Sequence, residues 1–335
     1  MDKLTYKPVI GTKGELEQIN SNMQIIDLTE SMMHELKEIA SDINVQHYEY
    51  SHIYYPWLHL CAKILGEEDF FKVRTNRNKN KITEEEQNIL RTKTVGIVGQ
   101  STGSQLAYIL AQEGVCGRLK LIDDDKLSLS NLNRMRASVT QLGLYKNIIS
   151  ARAIAELDPY FPVEIINARL DDSNIDYFID GENKVDLVVD ACDDIKSKFL
   201  LRLACKKRKI PLVMETNDRG RIDIERFDKN NIPIFHGRIK EVDDSLLQDM
   251  GAAQLNECMA SFLMRDGLSP RMLESLPLIG KTLMSYPQLA SETVSGASAL
   301  ATCIRQILLN KMHQSGTFFV DLEAIINEFA QGNNS

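Results

Sequence analysis

Between residues 94 and 216 the chain alternates short, strongly apolar runs with longer runs of helical spacing, and this alternation constrains the fold more than any other feature. "TVGIVG" (94–99) is a β-branched run ending in glycine, "SQLAYILAQEG" is helical and stops at Gly114, and "RLKLID" (118–123) is a second apolar run. The pattern continues with a helix from about Lys146 to Glu156, a strand in "VEIINARL", a helix near 173–180, a strand in "VDLVVDAC", a helix to about Lys209 and a strand in "PLVMET". Strands this apolar must be covered on both faces. They predict a Rossmann-like, doubly wound α/β fold with a mainly parallel sheet and helices on both sides. Ligands of such sheets sit at the carboxyl ends of the strands.

The chemistry-bearing residues fall at those ends. "GQSTGS" places Gly99 directly after the first strand and Gly103 at the start of the helix, so free N–H groups and the positive end of the helix face one point. The spacing is G-x-x-x-G, which by itself is equally compatible with a tight structural turn. Asp123 ends the second strand, about twenty residues past the loop, where a ribose hydroxyl would find an acceptor. Beyond it, "SNLNR" and Lys146 add amide, guanidinium and ammonium donors. Donors of that kind offset the charge of a triphosphate; a capped helix with exposed charges is the plainer alternative. "DLVVDACDD" ends in Asp190, Asp193 and Asp194, hard oxygen ligands suited to magnesium beside a polyphosphate.

The flanking regions read differently. "LTESMMHELKEIASDI" (28–43) predicts an amphipathic helix that a Thr caps, and "HYEYSHIYYPWLHLCAKILG" crowds aromatics with His47, His52 and His59. The histidine spacing matches no usual ligand pattern, so an aromatic packing or docking surface is expected there. "RTNRNKNKITEEEQ" (74–87) reads as a polar linker into a helix capped by Thr83. After residue 216, "NDRGRIDIERFD" suggests a strand carrying Arg219 and Arg221 on a solvent-exposed face or, less favoured, lining the acceptor side of the site. "SETVSGASALATCIRQILLN" (291–310) reads as a close-packed helix against the sheet or a dimer seam. The division expected is a mostly helical, aromatic docking region over 1–73, a nucleotide-binding domain over 74–320, and a terminal helix and tail over 321–335.

Composition excludes some classes. A net charge of −8 argues against general affinity for nucleic acid or anionic membrane. No apolar run approaches the roughly 20 residues of a membrane span, and the first residues lack a secretion-signal layout, so a cytoplasmic protein is expected. The 6 cysteines form no C-x-x-C pair, so neither a disulfide framework nor structural zinc is expected.

The order of glycine loop, "LIDDDKLSLSNLNR", Lys146 and "VVDACDD" resembles the core of the ThiF/MoeB superfamily, the bacterial relatives of ubiquitin-activating enzymes, across about residues 74–310. The D-x-D-x-x-x-x-S-N-L-x-R signature carries the likeness. The resemblance implies an ATP-dependent adenylyltransferase that joins a carboxylate, such as the C-terminus of a peptide or ubiquitin-like protein, to AMP with release of pyrophosphate. It implies that Gly99, Ser101, Thr102 and Gly103 cradle phosphate, Asp123 and Asp125 hold the ribose side, Asn131, Arg134 and Lys146 grip the phosphates, and Asp193 binds magnesium. "RTNR" (74–77) matches an element by which one subunit of these homodimers sends an arginine into its partner's site; Arg77 would be that residue, with Arg74 beside it. The loop is a residue shorter than the family's G-x-G-G-x-G, and Cys258, the one cysteine of the 236–295 crossover, sits in a helical "AQLNECMASFLM" that reads as packed. No thioester cysteine is therefore expected. A narrower likeness, in "IYYPW", "AELDPYFPV" and "DRGRIDIERFD", is to a bacterial subgroup whose ThiF-like domain is often followed by a flavin-dependent nitroreductase domain. The chain ends soon after its last helix, so that domain is expected as a separate partner. A non-catalytic dimeric scaffold and a nicotinamide or flavin oxidoreductase remain open; the latter would leave Arg134, Lys146 and Asp193 without work.

Overall fold

The computed structural model describes residues 5–39, 48–239, 243, 247, 250–264 and 267–332. Its centre is a seven-stranded sheet of order β11-β10-β9-β8-β5-β6-β7. The strands are β5 (Thr94–Val98), β6 (Arg118–Ile122), β7 (Val163–Ile166), β8 (Leu187–Asp190), β9 (Leu212–Thr216), β10 (Arg221–Glu225) and β11 (Gly316–Phe319). From β9 to β7 all neighbours are parallel, and β10 and β11 add antiparallel to one edge. The chain winds outward from β5 through β6 to β7, then returns to the other side of β5 with β8. The switch point of the doubly wound sheet therefore lies between β5 and β8, where a crevice opens at the strand ends.

Successive strand residues feed two separate cores, which is why the strand runs are apolar throughout. Val95 and Ile97 of β5, with Leu187 and Val189 of β8, pack under α5 (Gly103–Glu113) and the helix Ala290–Leu308. Val98 and Val188 face the opposite core with Phe178 of α7 (Ile175–Asp180) and Phe199 of α8 (Ile195–Arg208). Gly96 is small because Phe178 lies against it: an added Cβ would come within 2.8 Å of the ring. α6 (Lys146–Leu157) contributes Ile154 to the α5 side. Gly114, at φ +64, closes α5 where its run of helical spacing ended.

The N-terminal region carries the helix expected within 28–43, α2 (Thr29–Ile39), together with α1 (Lys13–Ile19), α3 (Glu67–Arg74) and a four-stranded sheet of order β1-β3-β4-β2. Its strands are β1 (Val9–Gly11), β2 (Gln24–Asp27), β3 (Tyr50–Tyr55) and β4 (Leu60–Leu65). Ile53, Tyr54 and Tyr55 of β3 are buried in this unit's cores, so of the two readings of the aromatic stretch they take packing and not a docking surface. His47 lies outside the described residues. Thr29 is the first residue of α2 rather than its cap, and its hydroxyl donates to Asp27 Oδ1 at 2.6 Å.

The polar stretch at 74–87 is also corrected, because its first residues are pinned to the α/β domain and do not act as a free linker. Arg74 donates to the carbonyls of Ala111 and Gln112 at the end of α5 and pairs with Asp158 at 3.0 Å. Asn78 Nδ2 reaches Gln87 Oε1 and the Glu113 carbonyl. The helix after it, α4 (Glu84–Arg91), begins with the Thr83 cap, reciprocated by Glu86. A terminal helix, Leu322–Ala330, follows β11. Among the described residues, no helix is long and apolar enough to cross a membrane.

Candidate functional site

The crevice at the β5/β8 switch point is an open, solvent-facing cleft of about 130 Å³. Gly99 and Ser101 from the glycine loop, Asp123 and Asp125 from the end of β6, Lys146 at the start of α6, and Asp193 after β8 all line it. Gly99 adopts φ +92, and a Cβ there would stand 2.3 Å from the Ala191 carbonyl oxygen, so the loop backbone presses directly on the β8 exit.

Asp123 organises the loop as well as facing the cleft. Its two carboxylate oxygens accept the Gln100 and Asp125 N–H groups, each at 2.6 Å. Burial raises its pKa against the pull of those two N–H bonds and of Lys146. Two lone-pair positions of the carboxylate remain for a ligand hydroxyl. Lys146, itself buried, donates to Asp125 Oδ2 at 2.6 Å and takes its backbone partner from the Asp125 carbonyl. Asn147, its neighbour on α6, ties the Asp123 and Ile166 carbonyls together and so holds β6 and β7 in register beneath the cleft.

Arg134 does not form a wall of the cleft but reaches it through the loop, donating from Nε to Ser101 Oγ at 3.2 Å. Its Nη1 also donates to Asn133 Oδ1 at 2.9 Å. Burial draws its pKa below the usual range, and the Asp193 carboxylate opposes that shift. Asn131 is buried, and its Oδ1 accepts from the Ser128 N–H and hydroxyl, closing the turn that carries Arg134. Thr102 and Gly103 turn away from the cleft and line a small void on the other side of the loop. Arg77 is exposed on the turn Asn76–Asn78 and does not line the cleft.

Two of the three acids after β8 serve the fold, correcting their reading as metal ligands. Asp190 is fully buried and bonds Lys198 Nζ at 2.9 Å and Arg202 Nη1 at 2.6 Å, which hold its pKa down to about 2. Asp194 caps α8, accepting from the Ser197 N–H and hydroxyl. That leaves Asp193, exposed at the cleft, as the carboxylate with room for a cation. Asp123, Asp124 and Asp125 can also bring oxygens within 4.8 Å of one another. Those oxygens are already engaged with N–H groups, with Arg169 at 3.3 Å and with Lys146.

The charges of β10 are corrected as well. Arg221 is 3% exposed, pairs with Asp223 at 2.7 Å and stacks on Phe262, so it does not lie on a solvent face. Arg219 bonds the Gly267 carbonyl and Asp321 instead of facing the cleft. Cys258, on the helix Ala252–Met264, packs partly buried against the α8-side core.

Arg169 also lines the cleft and carried no motif; it could have been found from its place just past the β7 strand end. The donor set of loop N–H groups, Lys146 and Arg134 beside the Asp123 and Asp193 carboxylates fits a nucleotide polyphosphate with a divalent cation.

The sequence model of the ThiF family matches residues 74–317. An uncharacterised protein of Mycobacterium tuberculosis (strain CDC 1551 / Oshkosh) is 40% identical over 279 residues, 83% of this chain but 39% of that protein. The tRNA threonylcarbamoyladenosine dehydratase of Bacillus subtilis (strain 168) is 31% identical over 163 residues, 48% of this chain and 63% of the relative. The chain thus spans less than two thirds of the length of both relatives. Among solved structures, the E. coli tRNA N6-threonylcarbamoyladenosine dehydratase TcdA in complex with ATP aligns with a TM-score of 0.52 at 20% identity, covering 73% of this chain and 98% of that one. Likeness at that identity concerns the fold.

Proposed function

We propose that this chain, which belongs to the ThiF family, is an ATP-dependent adenylyltransferase acting on a carboxylate. The observation that carries the reading is the cleft itself, where the glycine loop, Asp123, Lys146 and Asp193 meet at one switch point with Arg134 bonded to the loop. The relatives add support: one solved fold neighbour, the E. coli dehydratase TcdA, is a complex with ATP.

In this reading a carboxylate oxygen bonds to the α-phosphorus of ATP while the bond to the bridging oxygen of pyrophosphate breaks, and no proton need move. The work is alignment and charge neutralisation. Loop N–H groups, Lys146 and Arg134 face the phosphates, Asp123 accepts ribose hydroxyls with Asp125 keeping Lys146 in place, and Asp193 would hold magnesium. Magnesium would supply charge neutralisation on the phosphoryl oxygens. The carboxylate is that of a peptide or ubiquitin-like C-terminus, passed onward without a thioester on this chain. Arg77, exposed and without a hydrogen bond or ion pair among the described residues, fits an arginine delivered to a partner site in a homodimer. A flavin-dependent nitroreductase-like protein is the proposed downstream partner.

The test is pyrophosphate exchange into ATP with candidate peptides and ubiquitin-like tails, together with thermal protection by magnesium-ATP. Exchange should require magnesium and vanish in Asp193→Ala and Arg134→Ala. Protection by NAD but not by ATP would overturn the reading in favour of an oxidoreductase, and a dimer binding neither would leave a scaffold.

A further inference from the structure

We propose that Glu215, at the tip of β9, is a positioning residue that sets the Arg134 guanidinium and the glycine loop through the side-chain amides of Asn217 and Gln288, the Gln288 main-chain carbonyl and Asn133. It deepens the nucleotide reading of the cleft and rests on it. Glu215 belongs to no motif, and it is not a wall of the cleft.

The geometry places it directly behind the phosphate loop. Its side chain lines the small void shared with Thr102, Gly103 and Ala191, so it sits under the N-terminus of α5 on the side opposite the cleft. The carboxyl is pressed against the backbone of the helix Ala290–Leu308: a Cβ on Gly296 would stand 2.4 Å from Glu215 Oε1. From there contacts run back to Arg134. With its nitrogen turned to Glu215, Asn217 Nδ2 lies 3.1 and 3.3 Å from the two carboxyl oxygens, and its oxygen accepts from Gln288 Nε2 at 2.8 Å. The main-chain carbonyl of Gln288 accepts from Asn133 Nδ2 at 2.7 Å. Asn133 Oδ1 accepts from Arg134, whose Nε holds Ser101 of the loop.

The Asn217 and Gln288 side chains have a polarity that a proton on Glu215 decides. An ionised carboxylate only accepts, so it requires the Asn217 nitrogen. A neutral carboxyl can donate instead, so it also accommodates the Asn217 oxygen, with Gln288 turned over to match. Burial pushes Glu215 up to about 8; Glu292, on the helix Ala290–Leu308, adds to the rise, and Lys198 of α8 opposes it. Lys198 is committed to Asp190 at the end of β8, and α5 presents no charged side chain to the void. Glu215 is therefore neutral at pH 7 and gains its charge as pH rises through about 8. Ionisation puts a negative charge at the α5 N-terminus that the phosphates also use, and it forces one orientation on the Asn217 and Gln288 side-chain amides. Nucleotide and ionised Glu215 then oppose each other, and the coupling is reciprocal.

Two measurements on the full chain test this. Calorimetric titration with magnesium-ATP at pH 7 and pH 9 should show wild-type affinity weakening about five- to tenfold more than that of Glu215→Gln. In the nucleotide-free protein, the ¹⁵N shift of Arg134 Nε should titrate with a midpoint near pH 8, and that titration should disappear in Glu215→Gln and in Gln288→Ala, which breaks the chain farther from the core. Equal pH dependence in wild type and Glu215→Gln, with an Arg134 signal blind to either substitution, would mean that Glu215 only packs, and the proposal falls. An intact Arg134 titration without ATP binding at either pH keeps the relay and overturns the adenylation reading instead.

Discussion

Asp190 and Asp193 stand three residues apart at one strand exit, yet burial separates their work. Asp190 is enclosed with Lys198 and Arg202, and Arg202 also faces Glu225 at 2.7 Å. Removing one charge from such a group leaves the others buried without compensation, so Asp190→Asn should cost about 3–5 kcal/mol in a urea unfolding curve. The sign with pH follows from the depressed pKa of about 2. A carboxyl held below its unfolded value of about 4 stabilises fully above that pH and loses its contribution as pH falls towards 2. Asp223, held down to about 2 beside Arg221 and His236, behaves alike. Wild-type stability should therefore fall between about pH 4 and pH 2, and Asp190→Asn should show a shallower fall.

At the scale of elements, the turn from β5 into α5 decides whether the cleft can take a phosphate. Gly99 satisfies two demands at once, a left-handed backbone and contact with the Ala191 carbonyl. Gly99→Ala should displace the loop or the β8 exit, costing about 1–3 kcal/mol. Thermal unfolding should show both the lower midpoint and the loss of protection by magnesium-ATP; a variant with unchanged ATP protection would remove the loop from the proposed site. Asp123 depends on the same turn, because its carboxylate is aimed by the Gln100 N–H at 2.6 Å.

For the whole molecule, the N-terminal unit and the α/β domain meet through polar contacts and through Tyr160, whose ring packs on Phe70 and the core of β3 and β4. Arg74 holds α5 and Asp158, Trp57 Nε1 donates to Glu156 at 2.5 Å, and the Tyr160 hydroxyl donates to the Leu65 carbonyl at 2.7 Å. Arg74→Ala should weaken the coupling of the two units. Differential scanning calorimetry should then resolve two transitions where wild type gives one, and limited proteolysis should cut near residues 74–83. Arg77 belongs to the same scale, since its proposed role needs a second copy. Mixed Arg77→Ala and Asp193→Ala chains should recover exchange that neither shows alone; mixtures that stay silent would confine the site to one protomer.

How much could be read without coordinates depended on whether the controlling physics was local. The strands from β5 to β9, the helices between them and the Gly99, Asp123, Lys146 and Asp193 positions were legible because apolar periodicity, glycine and strand-end placement act over a few residues. The four-stranded N-terminal sheet was not, since β2 pairs in parallel with β4 across more than thirty intervening residues and its strands look like aromatic surface. Nor was the burial of Asp190, which read as a metal ligand, or of Arg221, which read as a strand charge on a solvent face, until α8 and the residues after β10 supply the packing around them. The sequence by itself determined a doubly wound sheet with charged strand ends. Tertiary structure alone decided which of those charges neutralise one another inside the protein and which remain for a ligand, because a charge's cost depends on the partners that folding brings to it.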